Sequence, residues 1–186
     1  MYPEVDIELK LLNCFDSLPS LINGVIDTAF IIGNRVEAKY VQETLELKEY
    51  IQVLACPNHP LTEKKRLSPK DFEKEALLLT GKDCSYRGAF MKRLGDANVV
   101  SRIVLETDSI QVIKQAAMSG LGICVLPEVS VLQEVSEGRL IPLKFDTRDF
   151  NIVSQLLYHK DKWISPALSE FIRLSKQILE YPKVDD

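Results

Sequence analysis

From Val5 to Leu11 apolar residues alternate with Asp6, Glu8 and Lys10, the period of a strand with one wet face. Asp16 or Ser17 then opens a short helix, Leu18 to Asn23, which Gly24 ends. Asp27 to Ile32 reads as a continuous apolar strand stopping at Gly33-Asn34, and Ile51 to Ala55 as another, broken by a turn at Pro57 and His59-Pro60. Ser68-Pro69-Lys70-Asp71 has the form of a helix start, with Ser as cap, Pro at the first helical position and Asp returning the capping bond, and Phe72 pins that turn to the core. Ala76 to Leu79 is a buried strand ending at Thr80-Gly81, followed by a helix from about Ser85 to Leu94 and a strand from Ser101 to Leu105. A second helical piece near Val129 to Glu137, a turn at Gly138 and strands at Leu140 to Leu143 and Asn151 to Tyr158 come later. Ser165-Pro166 caps the final helix, with Leu168, Phe171, Ile172, Ile178 and Leu179 as its apolar stripe. Because strands and helices alternate, the class predicted is α/β with largely parallel sheets.

The stretch from Glu106 to Glu128 is the most informative. Thr107, Asp108 and Ser109 cap a helix whose Ile110, Ile113, Ala116 and Ala117 form one apolar face. Gly120 and Gly122 stop it, and Ile123 to Leu126 form a short buried strand closed by Pro127. Such a unit aims several backbone N–H groups at the rim of a sheet, a natural place for a small anion. With no nucleophile, base or metal-ligand set beside it, the pattern points to binding without catalysis.

Composition narrows the partners. With 186 residues the chain can bury roughly 70% of its unfolded surface, as one domain or two small lobes. A net charge of −4 and a pI near 5.3 argue against a nucleic-acid-binding stripe on this chain, while leaving open DNA contact through another domain. No apolar run reaches bilayer length and no basic-then-apolar leader is present, so the cytoplasm is expected and no membrane contact. Cys14, Cys56, Cys84 and Cys124 are scattered without a C-x-x-C pair or a neighbouring His at ligand spacing, so they read as reduced thiols, with neither a metal nor a cofactor expected. His59 sits in a His-Pro turn, and neither it nor His159 has a serine or acid at recognisable spacing.

Six pieces in order make the chain resemble the effector-binding domain of LysR-type transcriptional regulators. They are Tyr2-Pro3-x-Val5 before a strand, Leu21-x-x-Gly24-x-x-Asp27, His59-Pro60-Leu61, the run from Gly120-Leu-Gly-Ile to Leu-Pro127, Gly138-x-Leu140, and Ser165-Pro166-Ala-Leu-x-x-Phe171. The resemblance implies the two-lobed type 2 fold of periplasmic binding proteins, each lobe a mostly parallel sheet flanked by helices, the lobes joined by two crossover strands. The first lobe would be residues 1–73 with 148–186 and the second 74–147, with a small anionic effector between them. It implies further an N-terminal winged helix-turn-helix, not found in this sequence, as the DNA-binding part, and antiparallel pairing of effector domains into a homodimer or higher homo-oligomer. Val5 to Leu11 and the helix after Ser85 are candidates for the pairing surface. The family's first effector-domain strand and helix are also absent from this sequence, which would weaken the first lobe and leave an edge that invites pairing.

By that resemblance Cys14 and Phe15 stand where members place a polar contact to the effector, or else are simply a buried thiol and a packed ring. Gly33 and Asn34 end a strand, where ligands of open α/β sheets bind, though Gly-Asn is equally an everyday turn. In the loop from Gly81 to Arg87, Ser85 offers a cap and a hydroxyl, and Arg87 a bidentate partner for a carboxylate or phosphate, unless it is solvated or paired with Asp83. Thr107 and Ser109 bring hydroxyls and helix N–H groups together with Pro127 nearby, and plain capping, worth ~1 kcal/mol, is compatible with anion binding. Cys84 at a helix start is a redox candidate, since peroxide-sensing members keep a reactive cysteine in about this loop, but it lacks a resolving cysteine within a few residues. A solute-binding protein or an enzyme of the same fold are the rival readings.

Overall fold

The computed structural model describes residues 2, 4–12, 14–37 and 39–179, apart from the side chains of Cys14 and Phe15. Those two side chains, and Pro3 of the opening motif, therefore lie outside the described residues. In chain order the elements are α1 (Cys14–Ile22), β1 (Thr28–Gly33), β2 (Val41–Lys48), β3 (Ile51–Ala55), β4 (Ala76–Leu79), α2 (Ser85–Asp96), β5 (Arg102–Glu106), α3 (Ile110–Met118), β6 (Ile123–Pro127), α4 (Leu132–Ser136), β7 (Ile141–Pro142), β8 (Val153–His159) and α5 (Pro166–Leu179). They fall into two compact units, residues 1–47 with 153–186, and residues 48–152.

In the first unit the sheet runs β1-β8-β2, with β1 antiparallel to β8 and Ala29 opposite Leu157. Leu21 of α1 packs with Ala29, Ile31 and Leu157 as its core. Gly24 ends α1 at φ +70°, a backbone state that favours glycine. β2 has no clean apolar alternation, since only Leu45 is buried and Gln42, Glu43 and Glu46 dilute the pattern. Tertiary bonds hold it instead: the Thr44 hydroxyl donates to Leu156 O at 3.0 Å, and the Gln155 amide donates to Glu43.

The expected strand at Val5 to Leu11 does not form. No strand pairs with it among the described residues, and Ile7, Leu9 and Leu11 are 84%, 86% and 94% exposed. Alternation alone cannot hold an extended segment whose backbone groups find no ladder. The final helix does form, Ser165 Oγ accepting Leu168 N–H at 3.1 Å, yet no residue of α5 is fully buried.

The second unit carries a five-stranded sheet in the order β5-β4-β6-β3-β7. β4 runs parallel to β5 and β6, while β3 is antiparallel to β6 and to β7. The second sheet is thus mixed where a mostly parallel one was expected, and in the first β1 runs antiparallel to β8. β3 and β8 each begin just after the chain passes from one unit to the other, and they run back against the neighbour they join. Residues 48–73 group with the second unit because Val53 pairs with Val125 and Leu67 N–H donates to Lys144 O at 2.9 Å.

One face of this sheet buries Leu54, Leu78, Cys124 and Leu126 beneath Ile113 and Ala117 of α3. On its other side the rings of Phe72, Phe90 and Phe145 meet edge to face at 5.1–5.7 Å. Asp71 accepts the Ser68 N–H at 2.7 Å, closing the turn that delivers Phe72, as the sequence suggests. Parallel β5, β4 and β6 bring their carboxyl ends to one edge of the sheet.

Candidate functional site

That edge is built from Thr80 and Gly81 after β4, Thr107 to Ser109 after β5, and Pro127 at the end of β6. Thr107 N–H donates to Leu79 O at 3.2 Å, tying the β5 end to the β4 end. Ser109 caps α3, its hydroxyl oxygen accepting Val112 N–H at 3.4 Å, and the Thr107 hydroxyl oxygen accepts Ser109 N–H at 3.2 Å. Each hydroxyl is thereby used as an acceptor, which leaves its own proton free to donate outward. Asp108 Oδ1 takes the Gly81 N–H at 3.1 Å, and a Cβ on Gly81 would stand 2.6 Å from that oxygen. Gly81 therefore fits here for lack of a side chain.

Arg87 is buried beneath the edge. Its guanidinium donates to Thr80 O and, at 2.8 Å, to Glu106, which holds the Glu106 carboxyl below its usual range. This bridge fixes the β4 and β5 ends relative to each other, so Arg87 positions the edge instead of reaching outward. The Thr80 hydroxyl is buried without a hydrogen-bond partner.

A second buried group supports the β6 side. Lys114 of α3 lies 2.7 Å from Glu134 of α4, with both side chains 8% exposed, and donates to Ser130 O at 2.9 Å. Ser130 in turn donates its hydroxyl to Pro127 O at 2.7 Å. The end of β6 is thus pinned through Ser130 to α3. The Lys114 ammonium holds the Glu134 carboxyl below its usual range despite the opposing pull of burial. A shallow, largely apolar hollow of about 490 Å³ runs along the outer face of α3, lined by Gln111, Val112, Gln115 and Leu121. It contains no charged group, whereas the edge offers the Thr107 and Ser109 hydroxyls beside a helix start.

Of the residues singled out from sequence, the structure gathers Gly81, Cys84, Ser85, Arg87, Thr107, Ser109 and Pro127 in the second unit, at this edge or on the elements leaving it. Gly33 closes β1 and Asn34 follows it exposed, both in the first unit, as are Cys14 and Phe15 at the start of α1. Two expectations change. Cys84, not Ser85, is the N-cap residue of α2, and it makes no side-chain cap bond. Arg87 pairs with Glu106, not Asp83, because the β4–β5 register puts Glu106 opposite Leu79. Glu106 and the Asp108 latch escaped sequence reading, for their partners lie 19 and 27 residues away and are set by strand pairing, and Thr80 joins them only through the Arg87 that Glu106 holds. The one available signal was Asp108 at a helix start, where an acid is favoured in any case.

Among the described residues no group of three or more His, Cys, Asp or Glu is placed to hold a metal ion, and no helix is long and apolar enough to cross a membrane. The model of the LysR substrate binding domain family matches residues 1–180. The chain is 35% identical over 178 residues to an uncharacterized HTH-type transcriptional regulator, YwqM, of Bacillus subtilis (strain 168), covering 95% of this chain and 60% of that protein. It spans only that share of its relative's length. Its fold is like that of the Synechocystis PCC6803 CcmR regulatory domain, solved in complex with 2-PG, at TM-score 0.79 and 22% identity over 97% of this chain and 86% of that one. The effector binding domain of QuiR in complex with shikimate is similar at TM-score 0.67 and 19% identity, over 88% of this chain and 78% of that one.

Proposed function

This chain belongs to the LysR substrate binding domain family, and we propose that it is the ligand-sensing part of a cytoplasmic LysR-type transcriptional regulator. It binds a small anionic effector without transforming it, works as a homodimer or higher homo-oligomer, and reaches DNA only through a domain outside this sequence. The observation that carries this reading is the carboxyl edge of the second unit. There Thr107 and Ser109 have hydroxyl protons free to donate beside the start of α3, where the helix dipole favours an oxygen-rich, negatively charged group. Ser85 adds a hydroxyl, while Gly81, Arg87 and Pro127 shape the edge. Cys14, Phe15, Gly33 and Asn34 are the contacts proposed from the first unit. The CcmR regulatory domain and the QuiR effector binding domain were solved in complex with 2-PG and shikimate respectively, which supports a small oxygen-rich effector here.

A bound effector acts as a switch only by preferring one state: moving a balance from 1:99 to 99:1 takes ~10⁴-fold tighter binding to one of the two. The test is a thermal-shift screen of small carboxylates and phosphate esters, shikimate included, on the full-length regulator. A hit whose shift disappears in the Thr107→Ala, Ser109→Ala double variant supports the assignment. Hits that keep their full shift in that variant remove the edge from the site, and turnover of a hit compound would replace sensing with catalysis.

A further inference from the structure

At the far end of α2 from the carboxyl edge, a cleft of about 340 Å³ is lined by Arg66, Ser68, Arg93, Lys144, Phe145 and Asp146. Ser85 and Arg93 are separated along α2 by about 12 Å of helix rise, so this cleft is distinct from the edge. In a chain whose net charge is −4, its lining sets three cations against one carboxylate. That carboxylate, Asp146, is engaged by Arg148 at 2.6 and 2.9 Å, and Arg93 is paired with Asp149. Arg66 and Lys144 have no ion-pair partner among the described residues.

The cleft is also held in shape. The Arg93 guanidinium lies 5.6 Å from the Phe145 ring centre and 5.5 Å from that of Phe150, and it donates to Asp146 O at 2.6 Å. Leu67 N–H bonds Lys144 O, which zips the two lining loops together, and Asp71 takes up both Lys64 and the Ser68 hydroxyl. What stays uncommitted is positive charge at the mouth of a rigid, small-molecule-sized hollow. We infer that this cleft is a second ligand site, for the phosphate group of a small metabolite. The group's charge of about −1.5 to −2 at neutral pH matches the excess of the lining, and the guanidinium of Arg66 and the ammonium of Lys144 are the donors.

The test is a titration of inorganic phosphate into the isotope-labelled chain at constant ionic strength, followed by amide NMR. The amides of Arg66, Leu67, Lys144 and Phe145 and the Arg93 Nε–H move saturably, and the Arg66→Gln, Lys144→Gln double variant weakens that binding about tenfold or more. Both substituted side chains are exposed, and an unchanged melting temperature confirms that the variant folds. Arg93→Lys, which keeps the charge and loses the fork, weakens the same response. Amides that stay still, shifts equal to those given by chloride, or phosphate binding that survives the double variant each overturn the site.

Discussion

Lys114 and Glu134 are two charged side chains in a nearly dry place, and removing one is far worse than removing both. Their contact is 2.7 Å with each side chain 8% exposed, Arg139 stands 4.0 Å away, and Glu134 Oε2 has no hydrogen-bond partner. Lys114→Met leaves the carboxylate buried beside an orphaned oxygen and frees Ser130 O as well, so a loss of ~3–5 kcal/mol is expected. Lys114→Met with Glu134→Leu removes the unpaired charge, and the pair then costs about nothing or gains ~1–4 kcal/mol. The two substitutions are in direct contact, so they are strongly non-additive.

Trp163, the one tryptophan, belongs to the first unit and not to the unit that holds this pair. Native-state hydrogen exchange at the amides of Ile113 and Leu126 reads the second unit directly. Acid sensitivity gives a second handle. Because Lys114 holds the Glu134 carboxyl below its ordinary value of 4.5, the pair's contribution is intact above that pH and is lost as pH falls through the depressed folded value. The wild type therefore loses protection below pH 4.5 more steeply than the double variant does. A single variant within ~1 kcal/mol of wild type, or a double variant as unstable as the single, would show that the desolvation reasoning is wrong.

Two glycines separate a soft clash from a hard one. Gly81→Ala meets only the movable Asp108 carboxylate, so it costs about 1–2 kcal/mol in melting experiments and abolishes the effector-induced shift at the edge. Gly122→Ala puts its Cβ 2.4 Å from the Ala76 carbonyl oxygen and costs more, beyond ~2 kcal/mol; equal melting of the two variants would contradict this. Asp71, held at about 2 by Lys64 and then by the Ser68 amide and hydroxyl, contributes stability above its ordinary 3.8 that drains away as pH falls towards 2. Asp71→Asn removes that slope, about 1 kcal/mol after solvent screening, and acid unfolding curves that remain superimposable refute it. Cys124 is fully buried and its thiol is pushed up to about 12, so a thiol reagent at neutral pH labels half-buried Cys56 and Cys84 in the folded chain and spares Cys124; equal labelling of all three breaks the assignment. If Cys84 reacts with iodoacetamide no faster than a model thiol, redox sensing there is removed.

The pattern along the chain determined whatever depends on near neighbours. The cap at Ser109, the turn that delivers Phe72, the buried runs of β4 and β6 and the apolar stripe of α5 were legible because spacing and turn chemistry act within a few residues. Tertiary structure decided the rest. β2 is a strand because Leu156 and Gln155 receive it, although its own residues alternate poorly, while Val5 to Leu11 alternates well yet meets no partner strand among the described residues. Likewise Arg87 was visible as a cation, but its binding to Glu106 and Thr80 O, which makes it a brace beneath the edge, follows from the β4–β5 register. Backbone pairing and buried charge are settled between segments distant in the chain, and periodicity contains no information about which segments meet.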